Sequence, residues 1–307
     1  MSPNWSANGE AEVSHSTIHL VDASLYIFRA WHSVPAEFFD ADDQPVNAVY
    51  GFTRFLLDLL ERARPSHCGI AFDESLTSSF RNAIYPEYKA NRELPPEQLK
   101  LQFGYCQRIA AALGLRVLAD TSYEADDLIG SVVHALRPQQ FRAVIVSADK
   151  DFGQLIGEHD LLWDFSKNQS WDSTGVKERL GVHPHQVADY LALTGDAIDN
   201  IPGVAGIGAK TAATLLAHFG SLDGIYSRIE EIPFLRFRGA AAAYTKLKAG
   251  AALARLSRSL TGIACDCPVP QQAASFERGK PDLADVEGLL EQLRFGPLTR
   301  SRIRALT

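Results

Sequence analysis

Nine carboxylates stand out in this 307-residue chain because of where they fall. Asp22, Asp73 and Asp149 each follow a short apolar run. Glu124-Ala125-Asp126-Asp127 places three acids within four residues, Asp149-Lys150-Asp151 brackets a lysine, and Asp196 and Asp199 precede a glycine-rich stretch. Helix capping explains any one of them equally well, since carboxylates favour helix N-termini. If all nine converge, their mutual repulsion requires cations. Carboxylates without His or Cys partners are hard oxygen ligands, suited to Mg2+ or Mn2+. Nine exceed the needs of one ion, which points to a site for two or more. Such paired ions hydrolyse phosphodiesters: one acidifies the attacking water and the other stabilises the leaving oxygen.

Two further stretches carry chemistry. Asn200-Ile201-Pro202-Gly203-Val204-Ala205-Gly206-Ile207-Gly208-Ala209-Lys210-Thr211 reads GxxGxG and follows a helical pattern. A dinucleotide loop needs GxGxxG after a strand, so that reading fails on context. The stretch has the shape of a helix–hairpin–helix turn, whose free N–H groups can hold a backbone phosphate without reading sequence. A purely structural helix–turn–helix corner is the alternative. From residue 203 to 260 there are eight Lys/Arg against three Asp/Glu. Between Phe80 and Arg92, aromatics alternate with bases: Phe80, Arg81, Tyr85, Tyr88, Lys89, Arg92. This composition suits unpaired nucleic acid, and it suits an ordinary solvated loop as well.

The elements that must position these groups are legible as short apolar runs at 18–21, 68–72, 115–118, 143–146 and 159–163. Runs of this length suit strands buried on both faces. Phe52, Phe55, Leu56, Leu59 and Leu60 repeat at helical spacing, as do Leu128, Ile129, Val132, Val133 and Leu136. The alternation predicts an α/β fold with a mostly parallel central sheet flanked by helices. Sites in such sheets form at the carboxyl ends of strands, where Asp22, Asp73 and Asp149 fall. Beyond about residue 175 strand signals stop, and helices are predicted at 187–193, 211–219 and, as one longer element, 240–260. A net charge of −7 argues against a broad cationic coat but leaves local nucleic-acid contacts open. No apolar run reaches membrane-span length and no signal core is present. The four cysteines, Cys68, Cys106, Cys265 and Cys267, read as reduced thiols.

Taken together, these motifs resemble the bacterial 5′-nuclease family, which includes the 5′–3′ exonuclease domain of DNA polymerase I and related flap endonucleases. The matching residues are Leu20-Val21-Asp22, Arg29, Ala71-Phe72-Asp73, Phe80-Arg81 with Tyr88-Lys89-Ala90-Asn91-Arg92, Glu124-Ala125-Asp126-Asp127, Ser147-Ala148-Asp149-Lys150-Asp151, and 195–211. They occur in the family's order across about residues 17–270. The resemblance implies a first metal site from Asp22, Asp73, Glu124 and Asp126. It implies a second from Asp126, Asp149, Asp151, Asp196 and Asp199, with Asp127 supporting. It also implies a helical arch at about 80–100, where Arg81, Lys89 and Arg92 hold the scissile phosphate and Tyr88 stacks on a base. Arg29 would lie near a substrate phosphate. Gly203, Gly206, Gly208, Lys210 and Thr211 would grip the duplex, with K+ at the turn.

The organisation so implied is a disordered tail at 1–16, a PIN-like nuclease core at 17–180, a helix–three-turn–helix part at 181–270, and a segment at 271–307 packing back on the core. No polymerase domain follows in this sequence, so a free-standing monomeric enzyme is expected, cytoplasmic and nucleoid-associated. Its partners would be branched or 5′-flap DNA, RNA-primed DNA, and replication or repair proteins. Ala23 stands where polymerase-type relatives usually carry Gly, and the hairpin lacks further Lys or Arg, which predicts weaker, more salt-sensitive duplex binding than in polymerase-linked relatives. A non-catalytic branched-DNA binder and a PIN-type ribonuclease are the other readings.

Overall fold

The computed structural model describes residues 15–74 and 78–306. Most of the expected tail lies outside the described residues, but Ser16 does not belong to it, because it opens the first strand. Six strands form one sheet: β1 (Ser16–Asp22), β2 (His67–Asp73), β3 (Arg116–Asp120), β4 (Phe141–Val146), β5 (Leu161–Asp164) and β6 (Gln169–Trp171). Their order is β3-β2-β1-β4-β5-β6, parallel except for β6. The chain winds outward from β1 in one direction through β2 and β3, then returns to place β4 on the other side. Crevices open at the strand carboxyl ends where the winding reverses in this way. Here that point is Asp22, with β2 on one side and β4 on the other.

The helices of the first part are α1 (Ala23–Ser33), α2 (Asn47–Ala63), α3 (Phe80–Ile84), α4 (Glu97–Ala112), α5 (Ala125–Leu136) and α6 (Ser173–Leu180). The second part is helical, with α7 (Val187–Thr194), α8 (Ala209–Phe219), α9 (Leu222–Ser227), α10 (Ala240–Ala249) and α11 (Ala251–Thr261). Two more helices, α12 (Leu283–Gln292) and α13 (Pro297–Arg304), close the chain. The single long helix predicted at 240–260 is two, broken at Gly250. A side chain there would come within 2.9 Å of Val204, so the hairpin packs directly on the break.

The sheet separates two apolar cores. On one face Val21, Ile70, Phe72, Val144 and Val146 pack with α1, α2, α4, α12 and α13. On the other, Ile18, Leu20, Leu118, Ala143 and Ile145 meet α5, and this core continues without interruption through Val187, Leu191, Leu215, Leu216 and Leu247 of the helical part. The hairpin-bearing helices are thereby fixed against the sheet and cannot swing as a tethered unit. Among the described residues, no helix is long and apolar enough to cross a membrane.

Candidate active site

The carboxylates gather at the carboxyl ends of β1, β2 and β4. Asp22 caps α1, accepting from the Leu25 N–H at 3.4 Å, and also accepts from Ser147 Oγ at 2.9 Å. Asp73 Oδ1 accepts from the Ala125 N–H at 2.7 Å, which draws the first turn of α5 against β2. Glu124 and Asp127 form a reciprocal capping box at that turn. Asp149 accepts from the Asp151 N–H at 2.9 Å, and Asp196 from the Ile198 N–H at 2.8 Å. Capping and site-building therefore coincide: a backbone amide pins each of these carboxylates, and all but Asp127 keep lone pairs for a ligand.

Their crowding shows in their acidity. Burial, and then the charge of Asp73, push Asp22 up to about 7. Burial and the neighbouring Asp149 push Asp151 up to about 7 as well. Asp126 is raised by burial first and by Asp127 next. Asp151 Oδ1 is buried and accepts no hydrogen bond, with the Lys150 ammonium 3.3 Å away. Carboxyls held this far above their usual range, in an all-oxygen donor set, fit a hard divalent cation. Among the described residues, no group of three or more His, Cys, Asp or Glu side chains is arranged closely enough to hold a metal ion as it stands.

Three cations accompany the acids. Lys89 Nζ lies 2.8 Å from Glu124, and Arg92 pairs with Asp199. Lys150 Nζ lies 2.6 Å from Asp196; burial opposes ionisation of that carboxyl, but the lysine outweighs it and holds Asp196 below the usual range. A cavity of about 330 Å3 opens beside Asp73 and Glu124, with Lys89 and Arg92 on its wall. Lys150 and Ser147 had no assigned role in the sequence. Their signals were a lysine between two aspartates and a hydroxyl two residues before Asp149.

Three expectations need correction. Arg81 does not face the crevice. It is 1% exposed, donates to both oxygens of Asp127 at 2.7 and 2.8 Å, and donates to the carbonyls of Leu260 and Gly262. A guanidinium so fully used is a structural tie. Asp127 is fully buried, bound by Arg81 and by the N–H groups of Glu124 and Ala264, so its oxygens are spent. Tyr88 is 3% exposed, and its hydroxyl donates toward Glu124 at 3.0 Å and Asp199 at 3.3 Å, which leaves no ring face for a base. Arg29 sits two helical turns past Asp22, half-buried, and donates to Ser166.

The hairpin begins directly after Asp196 and Asp199. Asp196 and Ile201 exchange both backbone hydrogen bonds, and the chain then turns through Gly203 at φ +63°. A Cβ on Gly203 would fall 2.3 Å from the Gly195 nitrogen, so only glycine fits. Gly208 caps α8 with no side chain, leaving first-turn N–H groups beside exposed Lys210 and half-buried Thr211. The exposed Gly206 carbonyl accepts from the Lys246 ammonium at 3.0 Å. That carbonyl does not fit as a K+ ligand while the ammonium holds it.

A family model described as the 5′–3′ exonuclease N-terminal resolvase-like domain matches residues 17–181, and the family's C-terminal SAM-fold model matches 182–284. The chain belongs to the 5′–3′ exonuclease family. Its relatives include a 5′–3′ exonuclease of Buchnera aphidicola subsp. Schizaphis graminum, 37% identical over 252 residues, covering 82% of this chain and 88% of that one. DNA polymerase I of Rhizobium leguminosarum is 36% identical over 290 residues, 92% of this chain. The chain spans only 28% of that polymerase's length. The exonuclease fold recurs in T5 5′-exonuclease with divalent metal ions (zinc) bound, at TM-score 0.65 and 19% identity, covering 95% of this chain and 100% of that one. It also recurs in the catalytic core of Rad2 in complex with DNA substrate, at TM-score 0.64 and 17% identity, covering 95% and 93%.

Proposed function

We propose that this family member is a divalent-metal-dependent 5′ nuclease that hydrolyses phosphodiester bonds in 5′ flaps and RNA-primed DNA. The observation carrying this reading is the gathering of Asp22, Asp73, Glu124, Asp126, Asp149, Asp151, Asp196 and Asp199 at one end of the sheet, beside a cavity walled by Lys89 and Arg92. Asp22, Asp73, Glu124 and Asp126 would hold one Mg2+ or Mn2+, and Asp149, Asp151, Asp196 and Asp199 the other. When bound, such ions acidify water and offset charge on the phosphate. The chain's own part is positional. Ser147 orients Asp22, Ala125 orients Asp73, and Lys150 holds Asp196 ionised. Lys89 and Arg92 exchange their carboxylate partners for the phosphate of the entering strand.

The hairpin supplies the second contact. First-turn N–H groups of α8 with Lys210 and Thr211 would take a duplex phosphate, which sets the distance from duplex to cut. The enzyme acts as a monomer on nucleoid DNA in the cytoplasm. Cleavage of a 5′-labelled flap duplex with and without Mg2+ is the direct test. Mg2+-dependent cleavage, lost in Asp149→Asn while flap binding persists, is expected. Binding without turnover in Mg2+ and Mn2+ would instead mark a non-catalytic branched-DNA protein, and preference for an all-RNA flap would mark a ribonuclease.

A further inference from the structure

A second cavity, about 640 Å3, lies on the α2 face of the sheet, and none of the residues of the acidic site lines it. Arg62 and Arg64 reach it from the end of α2, His19 from β1, Arg142 from β4, and Trp163 from β5. His19 precedes Asp22 by three residues on an extended strand, roughly 10 Å, so the cavity lies toward the amino-terminal side of the sheet. Its size falls in the range of small-molecule sites.

The lining is chemically one-sided. Three guanidiniums surround the space, and among the described residues no Asp or Glu lines it. Arg62 lies over the Trp163 ring at 5.3 Å and donates to Asn168, so the cation and the aromatic form one wall. Arg142 Nε donates to Thr17 Oγ1 at 2.7 Å, which fixes its head at the floor. Arg64 ends α2 with φ +45°, a left-handed conformation uncommon for a non-glycine residue. His19 Nδ1 is buried without a hydrogen-bond partner, and burial, with Arg142 nearby, pulls the ring down to about 4. The imidazole is therefore neutral and can pair with a hydroxyl or a ring nitrogen. Clustered guanidiniums match phosphate oxygens in a paired geometry that lysine cannot reproduce. The apolar wall of Val144, Leu161 and Trp163 suits a flat ring.

We propose that this cavity binds a nucleoside phosphate, with the phosphate among Arg62, Arg64 and Arg142, the base along the Trp163 wall, and His19 as the internal polar contact. It is separate from the nuclease site and does not depend on that reading. Isothermal titration calorimetry of the full chain with AMP, in EDTA to keep divalent ions from bridging the nucleotide to the acidic site, tests it. The expected result is saturable AMP binding, with adenosine and inorganic phosphate each at least about tenfold weaker, because each lacks half of the matching surface. Arg64→Ser, at an exposed position, is expected to weaken AMP about tenfold or more without changing the melting temperature or flap cleavage. Arg142→Ser is the second variant, with the same expected loss. No AMP binding up to millimolar concentration, phosphate bound as tightly as AMP, or undiminished binding in both variants would overturn the proposal.

Discussion

Arg81 and Lys89 show how residues of one charge, eight positions apart, come to different work. Arg81 is buried and saturated by Asp127 and two carbonyls, whereas Lys89 pairs with Glu124 and lines the cavity. Removing one partner from a buried ion pair strands the other, at a cost of about 3–5 kcal/mol. Arg81→Ala is therefore expected to lower the melting temperature sharply and to lose activity together with the fold. Lys89→Ala is expected to lower kcat by about a hundredfold or more with a much smaller change in melting temperature. Thermal melts paired with flap-cleavage rates separate the two. Equal losses of stability would show that Lys89 is also a structural tie. The acidic residues were legible in the sequence because Asp after an apolar run is a local signal. The burial of Arg81 was not, because Leu260 and Gly262 lie 179 and 181 residues away.

At the scale of elements, the hairpin is where conformation and binding meet. Gly203→Ala forces a side chain into the Gly195 backbone at a positive φ, so the turn must open. Loss of duplex affinity is expected, accompanied by a lower melting temperature. Lys210→Ala leaves the turn intact and removes the phosphate contact proposed for it, so the slope of log affinity against log salt is expected to fall by about 1. Fluorescence anisotropy of a labelled duplex across a salt series measures both, and an unchanged slope would remove Lys210 from the interface. The five parallel strands were readable from their apolar runs. Strand β6 escaped because Gln169–Trp171 is short, antiparallel and partly exposed, with no burial signature. The break at Gly250 escaped because its cause is Val204, far off in sequence.

At the scale of the whole molecule, the net charge of −7 acquires a location. Eight of the 37 acidic residues are gathered at one end of the sheet, and without them the formal charge is +1. Asp22 and Asp151, both raised to about 7, are neutral in the metal-free fold at low pH. A carboxyl raised by folding contributes stability below its unfolded value near 4 and loses it as pH climbs through 7. The metal-free protein is therefore expected to melt progressively lower from pH 5 to pH 8. Mg2+ is expected to restore more at pH 8 than at pH 6, with a gain of about 2.7 kcal/mol at a hundred times its dissociation constant. Calorimetric melts at the two pH values, with EDTA or Mg2+, check this; an Mg2+ gain that is flat with pH would count against it. The tie from Arg81 to Leu260 and Gly262 has one more result, in the order of assembly. Contacts between such distant segments form only after a long loop has closed, and on the ribosome only after residue 262 has emerged. Until then Glu124 and Asp127 lack the anchor that seats their helix. A nascent or prematurely ended chain would therefore carry the acidic residues without the ability to cut, and the cell's DNA would meet the nuclease only in its finished form.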